Sequence, residues 1–312
     1  MSEKSPTISV GVPEVREPSA LTGVPGTRAI ILLVLLFVGL LGALYWRILP
    51  DLVRQWWDDP NYSHGFLVPF FSGYLVWVGR DRLKAAIPYV KTNGAGLLVL
   101  LAGLGMLVLG DIGAENFLSR GSLIVILAGL ILFHLGPAIL RQVAFPLVFL
   151  LFMVPLPAIL FYAVTFPLQA LAAQNAAWVL DLFGIPVLLD GNVLHLSQIS
   201  LGVTEACSGV RSLISLLALA MAWAYLTLDK GWAMTALVAS AVPITIAANS
   251  ARVVSTGLIG QWFGVSYAQG FFHTFSGWLV FVVAFLLMLG LQRALAYCVP
   301  ADASPRAVCV AA

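Results

Sequence analysis

Long apolar runs separated by short polar segments make up most of this chain. A helix needs about 17–25 predominantly apolar residues to cross a bilayer, and such runs recur from Ala29 almost to the end. The pattern predicts spans at about 29–49, 64–79, 95–110, 122–135, 209–228, 232–250 and 277–290, and another that opens at Arg141 and is interrupted by Pro146, Pro155 and Pro157. We therefore expect an all-α polytopic membrane protein, a bundle of about eight transmembrane helices.

Composition agrees with this fold class and narrows the partners. Hydrophobic residues make up 61% of the chain and charged residues 10%, whereas a soluble globular protein has about 45–50% and about 25%. The lipid bilayer is therefore an expected partner, and a net charge of +2 gives no reason to expect nucleic acid. Three cysteines and four scattered histidines have no metal-ligand spacing, so we expect no metal and no cofactor.

Polarity along the chain predicts three parts. Residues 1–28 are polar and rich in Ser, Pro and Gly, which is typical of a disordered cytosolic tail. We expect residues 29–295 to form the transmembrane domain and residues 296–312 a short C-terminal tail.

Basic residues predict the orientation, because Lys and Arg collect on the cytoplasmic side of a membrane protein. The basic N-terminal tail and the basic loop at 80–91 then lie inside. The segments expected outside are 51–63, 111–120, the approach to Cys207, and 252–272.

The segment 166–183 is too polar for a lipid-facing span. It carries Gln169, Gln174, Asn175 and Asp181. We interpret it as an interfacial or re-entrant helix; the alternative is an ordinary span that lines the bundle interior. A full crossing here would move Cys207 to the cytoplasmic side.

Between Phe183 and Cys207 the pattern changes. Asp190-Gly191-Asn192 separates two short apolar runs, and Asp-Gly and Gly-Asn pairs favour tight turns. The sequence predicts a small extracytoplasmic hairpin here.

Cys207 is the best candidate nucleophile. Thr204 is a suitable N-cap, which would place Cys207 in the first turn of a helix, where the helix dipole favours the thiolate. Arg211 follows one turn later on the same face, and its charge would favour the thiolate further. The alternative is a small buried hydrophobic residue.

Two other polar positions are expected at the same depth and on the same outer side as Cys207. Asn249 and Arg252 share a helix face at the end of a predicted span, where the alternative for Arg252 is a snorkelling anchor. His273 opens the last span, where a helix N-terminus keeps imidazole neutral and able to accept a proton; the alternative is an interfacial hydrogen-bonding role. Cysteine acyl transfer needs a nucleophile, a base and a group that holds the oxyanion, and these residues supply one of each.

A dense polar run, Tyr62-Ser63-His64, begins the second predicted span. We interpret it as part of a substrate channel or as a structural element, with catalysis by His64 as the weaker option.

These motifs together resemble the exosortase/archaeosortase family of membrane cysteine transpeptidases. The matching residues are Tyr62-Ser-His-Gly65, Pro155-Leu-Pro157, Gly184-Ile-Pro-Val187, Glu205-Ala-Cys-Ser-Gly-Val-Arg211, Asn249-Ser-Ala-Arg252 and His273-Thr-Phe-Ser-Gly-Trp278. The resemblance implies catalytic roles for Cys207, Arg252 and His273. Supporting positions in the same motifs are Glu205, Ser208, Arg211 and Asn249. Archaeal relatives carry Arg at the position of His273, so the chain is similar to the bacterial branch.

The resemblance also implies a substrate and a location. The substrates would be membrane-anchored secreted proteins with a C-terminal signal made of a Pro-Glu-Pro-like motif, a transmembrane helix and a basic tail. The site would face the periplasm from the bacterial inner membrane, in exopolysaccharide or surface biogenesis. The acceptor, the split of work between Arg211 and Arg252, and the oligomeric state stay open.

Two non-enzymatic functions are the alternatives: a scaffold, or a transporter subunit, in polysaccharide export. Broken helices and intramembrane Arg are also found in transporters. Rapid, pH-dependent alkylation of Cys207 from the outer face would favour the enzyme over both.

Overall fold

The computed structural model describes residues 27–203, 209–264 and 271–298. The chain forms two compact units, Met1–Arg47 and Ile48–Ala312. The first contributes one apolar helix, α1 (Thr27–Leu44).

In its described residues, the second unit is helical apart from one small sheet and connecting segments. Its helices are α2 (Ile48–Asp58), α3 (Leu67–Val78), α4 (Arg80–Ala86), α5 (Ala95–Ile112), α6 (Asn116–Phe149), α7 (Ala158–Leu182), α8 (Val210–Thr227), α9 (Gly231–Phe263) and α10 (Phe271–Cys298). Short 3-10 turns occupy Pro60–Phe66, Ile87–Tyr89 and Leu150–Met153, and the strands are β1 (Leu188–Asp190), β2 (Val193–His195) and β3 (Ser200–Gly202).

Membrane-spanning helices confirm the predicted fold class. Among the described residues, five helical segments are long and apolar enough to cross a bilayer, or six if α1 and α2 are counted as one broken span. The five are Ala95–Ile112, Asn116–Met153, Val210–Thr227, Gly231–Phe263 and Phe275–Tyr297. The total of about eight stays a prediction.

The chain reverses within α6. Gly136 has a φ of 79° and a ψ of −179°, which no helix contains. A straight helix of 34 residues would be about 51 Å long, yet Arg120 and Leu156 line the same cavity. Residues 116–135 and 137–153 therefore run antiparallel, as the two spans predicted here require. Pro146, which we expected to interrupt the second of them, lies inside that helical half.

Glycines allow α5 and the first half of α6 to pack closely. Gly96, Gly103 and Gly110 recur at every seventh position and face α6, where a Cβ on Gly110 would come within 2.5 Å of the Ser119 nitrogen. Backbones that approach this closely gain van der Waals contact without relying on the hydrophobic effect, which is absent between helices in lipid.

Helices α8, α9 and α10 form a second bundle around small and aliphatic side chains such as Leu216, Ala220, Leu237, Ala284 and Met288. α9 is longer than expected. We predicted an outer loop from Arg252 onward, but the helix continues to Phe263. The predicted span at 232–250 therefore covers only the first part of α9.

One end of the second unit contains the segment Pro60–Phe66, the loop after Met153 and the start of α8. We call it the site end. His64 Nε2 lies 3.1 Å from the Phe152 carbonyl oxygen. Arg211 Nε donates to Asn61 Oδ1 at 3.4 Å. These contacts put three chain segments at one level.

α7 lies across the site end. Near its start, the ring of Phe161 is 6.3 Å from that of Tyr62. Near its end, Leu180 packs against Gly257, beyond Arg252 on α9. α7 is a continuous helix with both ends at the same end of the unit, so it runs along that end and not from one end of the unit to the other. That the polar segment 166–183 lies at the membrane interface stays a prediction.

The two faces of α7 agree with this position. Its buried positions follow a helical stripe: Phe161, Thr165, Gln169, Ala172, Ala173, Ala176 and Leu180. Large apolar side chains such as Ile159, Phe166 and Trp178 lie on the exposed face. One face of α7 therefore packs on protein and the other presents apolar side chains to the surroundings.

The predicted hairpin is confirmed and gains a third strand. β1 pairs with β2 around Gly191-Asn192, and β2 pairs with β3, both antiparallel. Gly191 has the positive φ of 60° that a tight hairpin turn requires. The sheet, the second half of α7 and the α9 residues beyond Arg252 share one apolar cluster, which includes Ala176, Leu194, Val203 and Val254. We call this assembly the cap.

Candidate active site

Two asparagines hold the ends of the stretch that carries Cys207. Before it, the Val203 N–H donates to the Asn192 backbone oxygen at 2.8 Å, and Asn192 Nδ2 donates to the Val203 carbonyl at 2.9 Å. After it, Gly209 packs so closely on Asn249 that a Cβ would lie 3.1 Å from the Asn249 Cβ and Cγ. The cap therefore fixes the entry to the stretch and α9 fixes its exit.

Gly209 is the N-cap of α8, with a φ of 80°. The helix therefore begins later than the sequence suggested, since we expected Thr204 in this role. Thr204, Glu205, Cys207 and Ser208 lie outside the described residues.

Arg252 lies between α9 and α10. A Cβ on Gly277 would be 3.2 Å from Cζ and Nη2 of Arg252, so the guanidinium lies directly on α10 at this glycine. His273 precedes Gly277 by four residues within α10 and therefore belongs to the same helix face, one turn nearer the helix start. The side chain of His273 lies outside the described residues.

Asn249 and Arg252 share a face of α9, as predicted, because both line one small cavity between α8, α9 and α10. The cavity is lined by Ser212, Thr245, Ala248, Asn249, Arg252, Gly277, Val280, Phe281 and Ala284. Asn249 is buried. The cavity therefore lies between α8, which follows Cys207, and α10, which carries His273.

The depth of Arg252 follows from the length of α9. At 1.5 Å per residue, Arg252 lies roughly 32 Å along the helix from Gly231, about the thickness of the hydrocarbon core. With Gly231 at one interface, a guanidinium at that distance would meet the opposite interface and not the bilayer centre, where its cost is greatest.

The polar run Tyr62-Ser63-His64 divides into different roles. His64 is tied to the Phe152 carbonyl, and Ser63 Oγ donates to the Pro60 carbonyl at 3.1 Å. Burial lowers the pKa of His64, while the backbone oxygens of Phe152 and Asn61 oppose that effect. These contacts favour a structural role for His64 and Ser63, whereas Tyr62 lines a cavity.

That cavity, of about 360 Å³, opens at the site end. Its wall contains Gln55, Asp59, Tyr62, Ala114, Glu115, Asn116, Phe117, Arg120, Pro155, Leu156, Pro157, Ala158, Phe161 and Tyr162. Arg120 is only 6% exposed, and its Nη1 donates to Gln55 Oε1. The sequence had suggested only an outer loop at 111–120, because the pairing of Arg120 with a residue 65 positions earlier leaves no local signal.

The sequence matches a known protein family. The family model described as transmembrane exosortase matches residues 56–290, which take in the polar run and the positions of Cys207, Arg252 and His273. No curated protein and no solved structure matches the chain. Since the match covers well over half of its residues, the chain belongs to the transmembrane exosortase family.

Proposed function

We propose that the protein is a membrane-embedded cysteine transpeptidase or protease of the bacterial inner membrane. Its substrates would be secreted proteins with a C-terminal sorting signal of the Pro-Glu-Pro-like, transmembrane and basic-tail type. It would cut this signal at the periplasmic face and pass the protein to an acceptor, in support of exopolysaccharide or surface biogenesis.

The observation that carries the proposal is the pair of contacts made by one face of α9. Asn249 touches Gly209, two residues after Cys207, and Arg252 touches Gly277, one turn after His273. A nucleophile, a cation and a base on three separate chain segments are what cysteine acyl transfer needs at one place. The course of α7 along the site end further supports the proposal, because both of its ends lie at the end of the unit that contains Pro60–Phe66.

In the proposed reaction, His273 takes the proton of the Cys207 thiol, and the thiolate attacks the scissile carbonyl carbon. Arg252 stabilises the oxyanion of the tetrahedral intermediate, and Arg211 is the other candidate for that work. The C–N bond then breaks, His273 returns the proton to the leaving amine, and a thioester remains on Cys207. An amine or hydroxyl acceptor attacks the thioester and releases the thiol; with water in its place the product is a free acid.

Co-expression with a tagged cognate substrate tests the nucleophile. We expect processing to be abolished in Cys207→Ala, while Cys309→Ala, a matched loss of another thiol, processes like the wild type. Processing that survives in Cys207→Ala would disprove the cysteine mechanism.

Arg252→Lys tests the oxyanion role in the same assay. Lysine keeps the charge but loses the planar fork of donors, so we expect processing to fall at least about tenfold. Arg54→Lys, at an exposed arginine of α2, is the matched control. Wild-type turnover in Arg252→Lys would reduce Arg252 to a membrane anchor.

A further inference from the structure

The large cavity at the site end contains a buried cation that the proposed reaction does not use. Arg120 carries five N–H donors on a rigid guanidinium, and Gln55 Oε1 accepts from one of them. Among the described residues, the ion pairs within 4.0 Å are Arg54–Asp51 and Lys84–Asp81, so no carboxylate contacts Arg120 directly, and the charges of Asp51 and Glu115 act on it from farther away. The remaining donors of Arg120 have room for a further acceptor in the cavity that this side chain lines.

Two carboxylates also line the cavity, but each is already bound to a helix start. Asp59 Oδ1 accepts the Asn61 N–H at 2.9 Å, and Glu115 Oε2 accepts the Leu118 N–H at 2.9 Å. Their charges disfavour a polyvalent anion such as phosphate in the same space. A single carboxylate brought in by a larger ligand avoids most of that repulsion and still reaches Arg120.

The rest of the wall suits a peptide. Pro155, Pro157, Phe161 and Tyr162 give it an apolar and aromatic side, and aromatic-lined grooves bind extended peptide segments. The volume of about 360 Å³ lies at the lower end of the usual range for ligand pockets, roughly 300–1,000 Å³. It holds a side chain with its neighbouring backbone and not a folded partner.

A short path links this cavity to the start of α8. Tyr62 belongs to the cavity wall, and the preceding residue, Asn61, accepts the hydrogen bond of Arg211 in the first turn of α8. An extended peptide at the site end can therefore lie in the cavity with one part while another part approaches the stretch that carries Cys207.

We propose that this cavity is a subsite for an acidic side chain of the peptide substrate. Arg120, held in place by Gln55, is the specificity-determining residue that pairs with the carboxylate. The inference rests on the proposed function, because that function makes the ligand a peptide.

Peptide binding tests the subsite apart from the chemistry. The probes are two short fluorescein-labelled peptides that differ only in carrying Glu or Gln among alanine and proline. The full-length protein, in nanodiscs and with Cys207→Ala, should bind the Glu peptide about tenfold more tightly by fluorescence polarisation. Adding Arg120→Gln should abolish this preference, and adding Arg54→Gln, the exposed neighbour of Gln55, should leave it unchanged.

A second variant keeps the test decisive if Arg120→Gln fails to fold. Ala158 is an exposed residue of the cavity wall, so Ala158→Trp should fold, fill the cavity and weaken binding of both peptides. Equal affinity for the Glu and Gln peptides, a preference that persists in Arg120→Gln, or normal binding by Ala158→Trp would each overturn the inference. Because all binding is measured without the thiol, these outcomes are independent of whether Cys207→Ala abolishes processing in cells.

Discussion

Two glycines decide how closely the residues of the site approach one another. Gly209 and Gly277 each leave room for one side chain of α9, Asn249 in the first case and Arg252 in the second. The absence of a Cβ at Gly209 matters for a second reason, because its φ of 80° is in the left-handed region, which favours glycine.

Gly209→Ala should therefore impair the site in two ways. The methyl group strains the backbone by about 1–3 kcal/mol and pushes on Asn249, which displaces the exit of the Cys207 stretch. We expect slower substrate processing and slower alkylation of Cys207 at a given pH.

Gly191→Ala is the control for backbone strain alone. Gly191 also has a positive φ, but a Cβ there meets nothing within 4 Å. Equal losses of activity in both variants would show that strain, and not the contact with Asn249, accounts for the effect.

The buried ring of His64 predicts a dependence of stability on pH. Burial lowers its pKa below the ordinary value for histidine, about 6.5, so below about pH 6.5 the unfolded chain binds more protons than the folded one. The stability is complete above that pH and is lost as the pH falls through the folded-state pKa. We expect the Tm of the wild type to fall more than that of His64→Gln between about pH 7.5 and about pH 5.5. Parallel Tm curves would contradict this assignment.

At the scale of elements, the cap is the part of the fold that aims the Cys207 stretch. Val203 follows β3, is buried, and makes two hydrogen bonds with Asn192. The direction of the chain is therefore set before it reaches the site. A substitution at Asn192 can remove the side-chain hydrogen bond to Val203 and leave the strand pairing in place, because the backbone makes that pairing.

Asn192→Ala and Asn192→Asp should both reduce processing, because neither side chain can donate to the Val203 carbonyl. A hydrogen bond of this kind is worth about 1 kcal/mol, so the cap should stay folded while the pH profile of Cys207 alkylation shifts. Ser200→Ala, at an exposed position of β3 bonded to His195, is the matched control. A wild-type profile in both Asn192 variants would assign the residue to the turn alone.

The sequence predicts the elements that local chemistry determines. Asp190-Gly191-Asn192 predicts the hairpin because the turn needs those residues, and the break between 135 and 141 is predicted because the apolar pattern pauses there. The length of α9 beyond Arg252 could not be predicted. Within the cap, Gly257 of this part of α9 packs against Leu180 and Leu201, which come from distant parts of the chain.

For the site, the sequence predicts the face shared by Asn249 and Arg252 from their spacing alone. It does not predict Arg120 with Gln55, or the support of Val203 by Asn192, since each joins segments that only the fold brings together. Asn192 looked like an ordinary turn residue because its side-chain bond is invisible in the turn motif.

At the scale of the whole molecule, the position of α7 determines which side of the membrane the site occupies. Single cysteines at Ala158 and Asp181, both exposed and at opposite ends of α7, should react with a membrane-impermeant maleimide from the same side. The background is a variant without its native cysteines, and Lys91→Cys, in the basic loop, should react only from the other side. Labelling of Ala158→Cys and Asp181→Cys from opposite sides would show that α7 crosses the bilayer.

The anchors on either side of the Cys207 stretch also limit how far the thiol can travel. Consecutive Cα atoms are about 3.8 Å apart, so the Cα of Cys207 stays within about 7.6 Å of that of Gly209 whatever path the stretch takes. Gly209 in turn is pressed against Asn249, about 4.5 Å along α9 from Arg252. A nucleophile on so short a tether cannot search for its target, so the substrate has to bring its scissile bond to one fixed depth. Under the proposed function the enzyme then acts as a ruler: substrates of unrelated sequence are cut at the same distance from the end of their own transmembrane helix.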